Sequence, residues 1–141
     1  MEDYEYKTYA PWYNSRSSIN KIVIEPGVTY ISDYAFYYCY ATEVIIGDDV
    51  IETGTYSFNM CRKLARVYLG KSVSRIGGGS FFNCESLTDV YYSGTAAQWN
   101  KITISSDNTY FKNASLHYTS VDGNNSVVID PSRYIESEHP Y

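Results

Sequence analysis

Through the middle of the chain, apolar residues return on a fixed beat. Four blocks share the order apolar-x-x-apolar-x-apolar: Ile19 to Ile24, Ala41 to Ile46, Leu64 to Leu69 and Leu87 to Tyr92. Their starts are 22, 23 and 23 residues apart. Val28, Val50 and Val73 follow the last apolar residue by four in each copy, and Ile31, Thr53 and Ile76 come next. Each copy then carries a small residue and a ring, Ala35-Phe36, Ser57-Phe58 and Ser80-Phe81, and is closed by Cys39, Cys61 and Cys84. Self-similarity at such a period means one supersecondary unit stacked on itself, here about 22–23 residues per coil. Function in such an array lies on a repeated outer surface rather than in a unique pocket.

The residue types assign local structure to each copy. Ile22-Val23-Ile24 and Val67-Tyr68-Leu69 alternate in and out with β-branched enrichment, as a strand does. Corners of Glu25-Pro26-Gly27, Gly47-Asp48-Asp49 and Gly70-Lys71-Ser72 follow, with Gly and Pro serving turn conformations. A second short strand is expected at Val28 to Ile31, Val50 to Thr53 and Val73 to Ile76. Apolar residues three or four apart in Asp33–Cys39, Thr55–Cys61 and Gly79–Cys84 predict one helical or 3₁₀ turn per coil. Thr53-Gly54 and Gly77-Gly78-Gly79 predict looser second and third coils. Ile24, Ile46 and Leu69 should form one buried column, and Phe36, Phe58 and Phe81 another.

The ends differ from the middle. Trp12 precedes the first coil and Trp99 follows the last block, and both are large enough to lie across an exposed core end. Thr95 is placed to N-cap a short helix through Trp99. Lys101–Ile104 and Ser115–Tyr118 read as closing strands around a loop, Ser105–Ala114. The expected organisation is an N-terminal arm and cap (1–18), coils (19–92), a C-terminal cap (93–120) and a tail or linker (121–141). In that tail, Val127–Ile129 is at most a single added strand.

The order L-x-x-V-x-I, V-x-x-I-G and A-F-x-x-C over residues 19–87 resembles the BspA-like leucine-rich repeats, and Tyr91 to Ile102 is similar to the C-terminal capping unit of such arrays. The resemblance implies a β-rich leucine-rich-repeat solenoid of the α/β class, with parallel strands, short helical turns and a cap at both ends. It implies a bacterial secreted or cell-surface protein whose role is adhesion or binding. It brings no catalytic residues.

Composition narrows the partners. A net charge of −5 offers no basic stripe for nucleic acid. No run of 18 apolar residues is present, so membrane insertion is not expected, and Met1-Glu2-Asp3 lacks the features of a signal peptide. Seventeen tyrosines exceed what a core can use, and a wet, aromatic surface suits recognition. The three cysteines share one repeat position, which makes them a column of small buried thiols; no fourth Cys or adjacent His completes a metal tetrahedron. Asp122-Gly123-Asn124 with Asp130 lacks the bidentate Glu of a calcium loop. His117 and His139 stand in no nucleophile motif. No cofactor and no enzyme activity are expected.

Two outward columns remain. Lys21, Glu43, Arg66 and Asp89 alternate in sign on neighbouring strands and read as a structural ladder. Beside them Val23, Ile45, Tyr68 and Tyr91 place apolar and tyrosine side chains in line. Tyr68 and Tyr91, flanked by Arg66, are the first candidates for binding a protein or carbohydrate outside the cell. The second are Tyr37 and Phe82, which share one position on the turn edge among Tyr34, Tyr38, Tyr40 and Tyr56. The alternative function is a structural spacer or a piece of a longer array.

Overall fold

The computed structural model describes residues 10–121 and 127–129. After a 3₁₀ turn at Tyr13–Ser18, the chain winds through two strands per coil: β1 (Lys21–Ile24) and β2 (Tyr30–Ile31), β3 (Glu43–Ile46) and β4 (Glu52–Thr53), β5 (Arg66–Leu69) and β6 (Arg75–Ile76). A fourth coil holds β7 (Asp89–Tyr92), α1 (Ala96–Trp99), β8 (Thr103–Ile104) and α2 (Thr109–Asn113). β9 (Ser115–Val121) and β10 (Val127–Ile129) follow. The first strands make a six-stranded sheet in the order β1-β3-β5-β7-β9-β10, and the second strands a four-stranded sheet, β2-β4-β6-β8. All pairings are parallel except β9 with β10.

Register follows burial. Ile22, Val44, Val67, Val90 and Leu116 lie opposite one another, as do Ile24, Ile46, Leu69, Tyr92 and Tyr118, and all ten are buried. A slip of one residue would turn both columns to solvent, so the alternation holds the stack in place. The phenylalanine column is longer than the repeat predicts. Trp12 stacks on Phe36 at 5.1 Å, Phe36 on Phe58 at 5.3 Å, Phe58 on Phe81 at 5.2 Å and Phe81 on Phe111 at 4.8 Å. Phe111, in α2, carries the column into the fourth coil. Trp99 is buried against Tyr92 and Phe111, inside that coil. The thiols form their own line: Cys61 Sγ donates to the Phe36 carbonyl and Cys84 Sγ to that of Phe58, each at 3.1 Å.

The segments expected to be helical are chains of tight turns instead. In the first, alternate N–H groups donate back along the segment, from Ala35 to Ser32 O, Tyr37 to Tyr34 O and Cys39 to Phe36 O. The intervening N–H groups of Tyr34, Phe36 and Tyr38 donate to Thr55, Ser57 and Asn59 of the next coil. Every N–H from Tyr34 to Cys39 is thus used, half within a coil and half between coils, which a helix could not do. The geometry needs left-handed residues at two positions per coil: Tyr34, Tyr56 and Gly79 at φ 55°, 55° and 63°, and Tyr38, Met60 and Asn83 at φ 61°, 65° and 59°. Apolar spacing of three or four cannot distinguish these turns from a helix.

Nor are the glycine-bearing coils loose. A Cβ at Gly54 would meet Asp33, and one at Gly77 would meet the Thr53 carbonyl at 2.5 Å. These glycines mark close approach between coils, sealed by Ser80 Oγ donating to Gly54 O at 2.6 Å and by Thr53 Oγ1 and Ser80 Oγ at 2.9 Å.

The two strands expected to close the chain belong to different sheets: β8 pairs with β6, and Ser115–Val121 with β7. The loop between them contains α2. Asn108 anchors it, 1% exposed: its Oδ1 accepts from Phe81 N at 2.9 Å, while Nδ2 donates to Gly77 O and Ser105 O at 3.0 Å. Thr95 caps α1 as expected, in a reciprocal capping box with Gln98. The tail outside Val127–Ile129, the N-terminal tyrosines Tyr4, Tyr6 and Tyr9, the Asp122/Asp130 segment and His139 lie outside the described residues.

Candidate functional site

β1, β3, β5, β7 and β9 each send the second and fourth residues into the core, so the first and third face outward in two parallel columns. In the charged column, Lys21 Nζ is 3.3 Å from Glu43 Oε1 and Arg66 Nη2 is 3.2 Å from Glu43 Oε2. Arg66 Nε also donates to Glu43 Oε2 at 3.3 Å. The fourth rung departs from simple alternation. Asp89 accepts from Thr88 Oγ1 at 2.7 Å and is bonded to His117 Nε2 at 2.8 Å. Pairs this exposed contribute roughly 0.2–1 kcal/mol each, so the column sets register more than stability.

The neighbouring column runs Val23, Ile45, Tyr68, Tyr91 and His117 in direct register. Val23 is 50% exposed; the other four are half-buried. Tyr68 and Tyr91 stack with ring centres 4.7 Å apart and planes 15° apart; Tyr91 and His117 do the same at 4.6 Å and 15°. Tyr91 therefore has a ring on each face, and the row turns its edges to solvent. Burial and the Asp89 charge, with a further contribution from Tyr68, raise the Tyr91 hydroxyl above its ordinary value. It stays a neutral donor and acceptor. Beside the row lies a groove of about 190 Å³ lined by Ile45, Tyr68, Tyr91, Gly47, Gly70 and Asp48. Asp48 Oδ1 accepts from Ser93 Oγ at 2.9 Å, which fixes the carboxylate at its rim.

His117 is the member of the site that sequence reasoning missed. Leu116 and Tyr118 carry the inward alternation on either side of it, but Ser115 follows Asp89 by 26 residues rather than 23. The longer fourth coil hid the beat.

The turn-edge candidates stand apart from this row. Tyr37 stacks on Tyr13 at 6.3 Å and meets Tyr34 edge-on, while Phe82 is 40% exposed and edge-on to Tyr56 at 6.5 Å. They belong to a second aromatic surface and are not brought together with Tyr68, Tyr91 and Arg66.

Among the described residues, no group of three or more His, Cys, Asp and Glu side chains is placed to hold a metal ion, and no helix is long and apolar enough to cross a membrane. The three cysteines are free and buried. Burial pushes the Cys39 and Cys84 thiols up to about 12 and Cys61 well above the ordinary value, so none is a nucleophile at neutral pH.

No curated protein and no solved structure matches the chain. The BspA type leucine rich repeat region matches it in six copies across residues 9–132, reaching into the segments on both sides of the four blocks. The spacing of the blocks, the parallel two-sheet winding and that match agree: the chain belongs to the BspA-type leucine-rich repeat family.

Proposed function

We propose that the chain is a non-catalytic binding module acting outside the cell, and that a protein partner docks on the edge row of Tyr68, Tyr91 and His117 and in the groove beside it. Leucine-rich repeat proteins are generally non-catalytic and serve interaction or structural roles. The observation that carries the reading is the sandwiched ring of Tyr91. Held between two rings on a paired strand, it loses little entropy on contact, unlike a tyrosine that must first be ordered. Its geometry also favours a protein over a glycan. Sugars are gripped by the open faces of aromatic rings, and both faces of Tyr91 are covered; what it offers is a rigid edge and a hydroxyl. Arg66 and Glu43 supply a polar rim, and the groove accepts an apolar side chain next to the Asp48 carboxylate.

The test screens the immobilised chain against purified extracellular-matrix and serum proteins and against a glycan array. A protein bound by the wild type and lost by Tyr68→Ala together with Tyr91→Ala supports the reading, provided the variant remains folded. A few degrees of melting temperature should go with the stack, since each aromatic pair contributes roughly 0.5–1.5 kcal/mol. Retained binding that Tyr37→Ala or Phe82→Ala removes would move the site to the turn edge. Glycan binding alone would replace the protein partner, and no capture at all would favour a structural spacer.

A further inference from the structure

The turns of the first two coils leave a second concavity of about 190 Å³, lined by Tyr38, Cys39, Tyr40, Met60, Arg62 and Lys63. Ligand sites for drug-sized molecules run roughly 300–1,000 Å³, so this one has room for a single amino-acid side chain. Its floor is uncharged, because Cys39 is buried and its thiol stays protonated. Its walls are the Met60 thioether and the rings of Tyr38 and Tyr40, with centres 6.3 Å apart. Tyrosine, methionine and arginine are the residues enriched where proteins meet.

The rim is cationic. Lys63 Nζ stands 5.2 Å from the Tyr40 ring centre, and among the described residues no carboxylate pairs with it. Arg62 Nε is 3.2 Å from Glu85 Oε1, with both side chains more than half exposed, so that pair is weak. Behind Tyr38, the Arg16 guanidinium lies 5.7 Å from that ring and 4.0 Å from the Tyr13 ring, and its Nη1 donates to the Tyr13 carbonyl. No carboxylate pairs with Arg16 among the described residues either. In a chain of net charge −5, the described residues place two cations on the cleft, a third behind Tyr38 and one paired carboxylate, a local reversal of sign. Such a reversal attracts an anion.

The kind of anion follows from the walls. A free phosphate is held by several converging N–H donors, whereas here one exposed ammonium leads and the lining is thioether and ring. An ammonium over a ring still has N–H donors to give. We propose that this pocket receives one glutamate side chain from an acidic segment of a protein partner, its carboxylate on Lys63 Nζ and its methylenes against Met60 and Tyr40. The site is separate from the sheet-face row and does not depend on it.

The test is an NMR titration of the intact, isotope-labelled chain at low salt with the blocked peptide acetyl-Gly-Glu-Tyr-Gly-amide, and with its Gln counterpart. The Glu peptide should move the amide signals of Tyr38 to Tyr40 and of Met60 to Lys63, by less as salt is added, while the Gln peptide leaves them nearly still. Lys63→Gln, at an exposed position, should weaken the Glu peptide about fivefold, and Tyr68→Ala with Tyr91→Ala should leave it unchanged. Equal responses to the two peptides, or an unaltered response in Lys63→Gln, would overturn the proposal. So would inorganic phosphate moving the same amides where the Glu peptide does not.

Discussion

The ring of Tyr56 occupies the space where a side chain on Gly79 would begin. Gly79 sits one coil on from Tyr56 at the same left-handed position, with φ 63° against 55°. Gly79→Ala should lose roughly 1–2 kcal/mol from the backbone alone, and more from displacing the ring. In a Tyr56→Ala background only the backbone part should remain. A double-mutant cycle by urea denaturation measures the difference; zero coupling would mean that the ring moves aside freely.

The central coil has neighbours on both sides and cannot collapse around a void. Phe58→Ala and Ile46→Ala, at fully buried positions, should each cost about 2–5 kcal/mol in chemical denaturation. A loss well under 1 kcal/mol at either site would mean that the coil repacks.

Ser57 and Ser80 occupy one repeat position with opposite fortunes. Ser57 Oγ is buried with no hydrogen-bond partner among the described residues, whereas Ser80 Oγ binds both Gly54 O and Thr53 Oγ1. Ala35 already fills that position in the first coil. Ser57→Ala should be neutral or stabilising by up to about 1 kcal/mol, and Ser80→Ala should destabilise by roughly 1–3 kcal/mol. Melting curves of the two variants, side by side, give the comparison.

The thiol column gives the stability a direction in alkali. Each thiol is protonated in the fold at a pH where the unfolded chain, with its ordinary value of 9.0, has begun to ionise. Folded Cys39 and Cys84 titrate at about 12. The folded state then holds more protons, so the thiols' contribution to stability is complete below about pH 9 and falls as pH rises toward 12. Tyr91 and Tyr92, also raised by burial, act in the same direction. Denaturation midpoints across that range should decline, and Cys→Ser at all three positions should flatten the part due to the thiols. Native labelling by a thiol reagent at pH 8 should be slow and become complete only on unfolding.

How much of this was legible follows the length of the beat. Wherever coils keep 22 or 23 residues, the strand alternation, the thiol line and the inward rings could be read directly, because burial on a pleated strand imposes a period of two. Asp33 to Cys39 misled, since a run of tight turns and a helix both bring every third or fourth residue inward. Only the left-handed backbone of Tyr34 and Tyr38 separates them, and tyrosine gives no warning of it. Phe111 and His117 were hidden by extra residues in the fourth coil. Of the site, Tyr68, Tyr91 and Arg66 were visible as outward positions, but not that stacking turns the rings edge-on. The cationic cleft depends on Arg16, Arg62 and Lys63 meeting around Tyr38 and Tyr40, which no single coil reveals.

The five-ring column ends in an optical asymmetry. Among the described residues Trp12 is its last ring on the first coil, and Trp99 packs beside Phe111 in the fourth. A stack of coils that touch only their neighbours frays from its ends inward. The chain therefore carries one indole emitter on the first coil and one inside the fourth, and replacing either by Phe leaves a single reporter. Fluorescence then says which of these two coils opens first, and whether they open together, without any label being added.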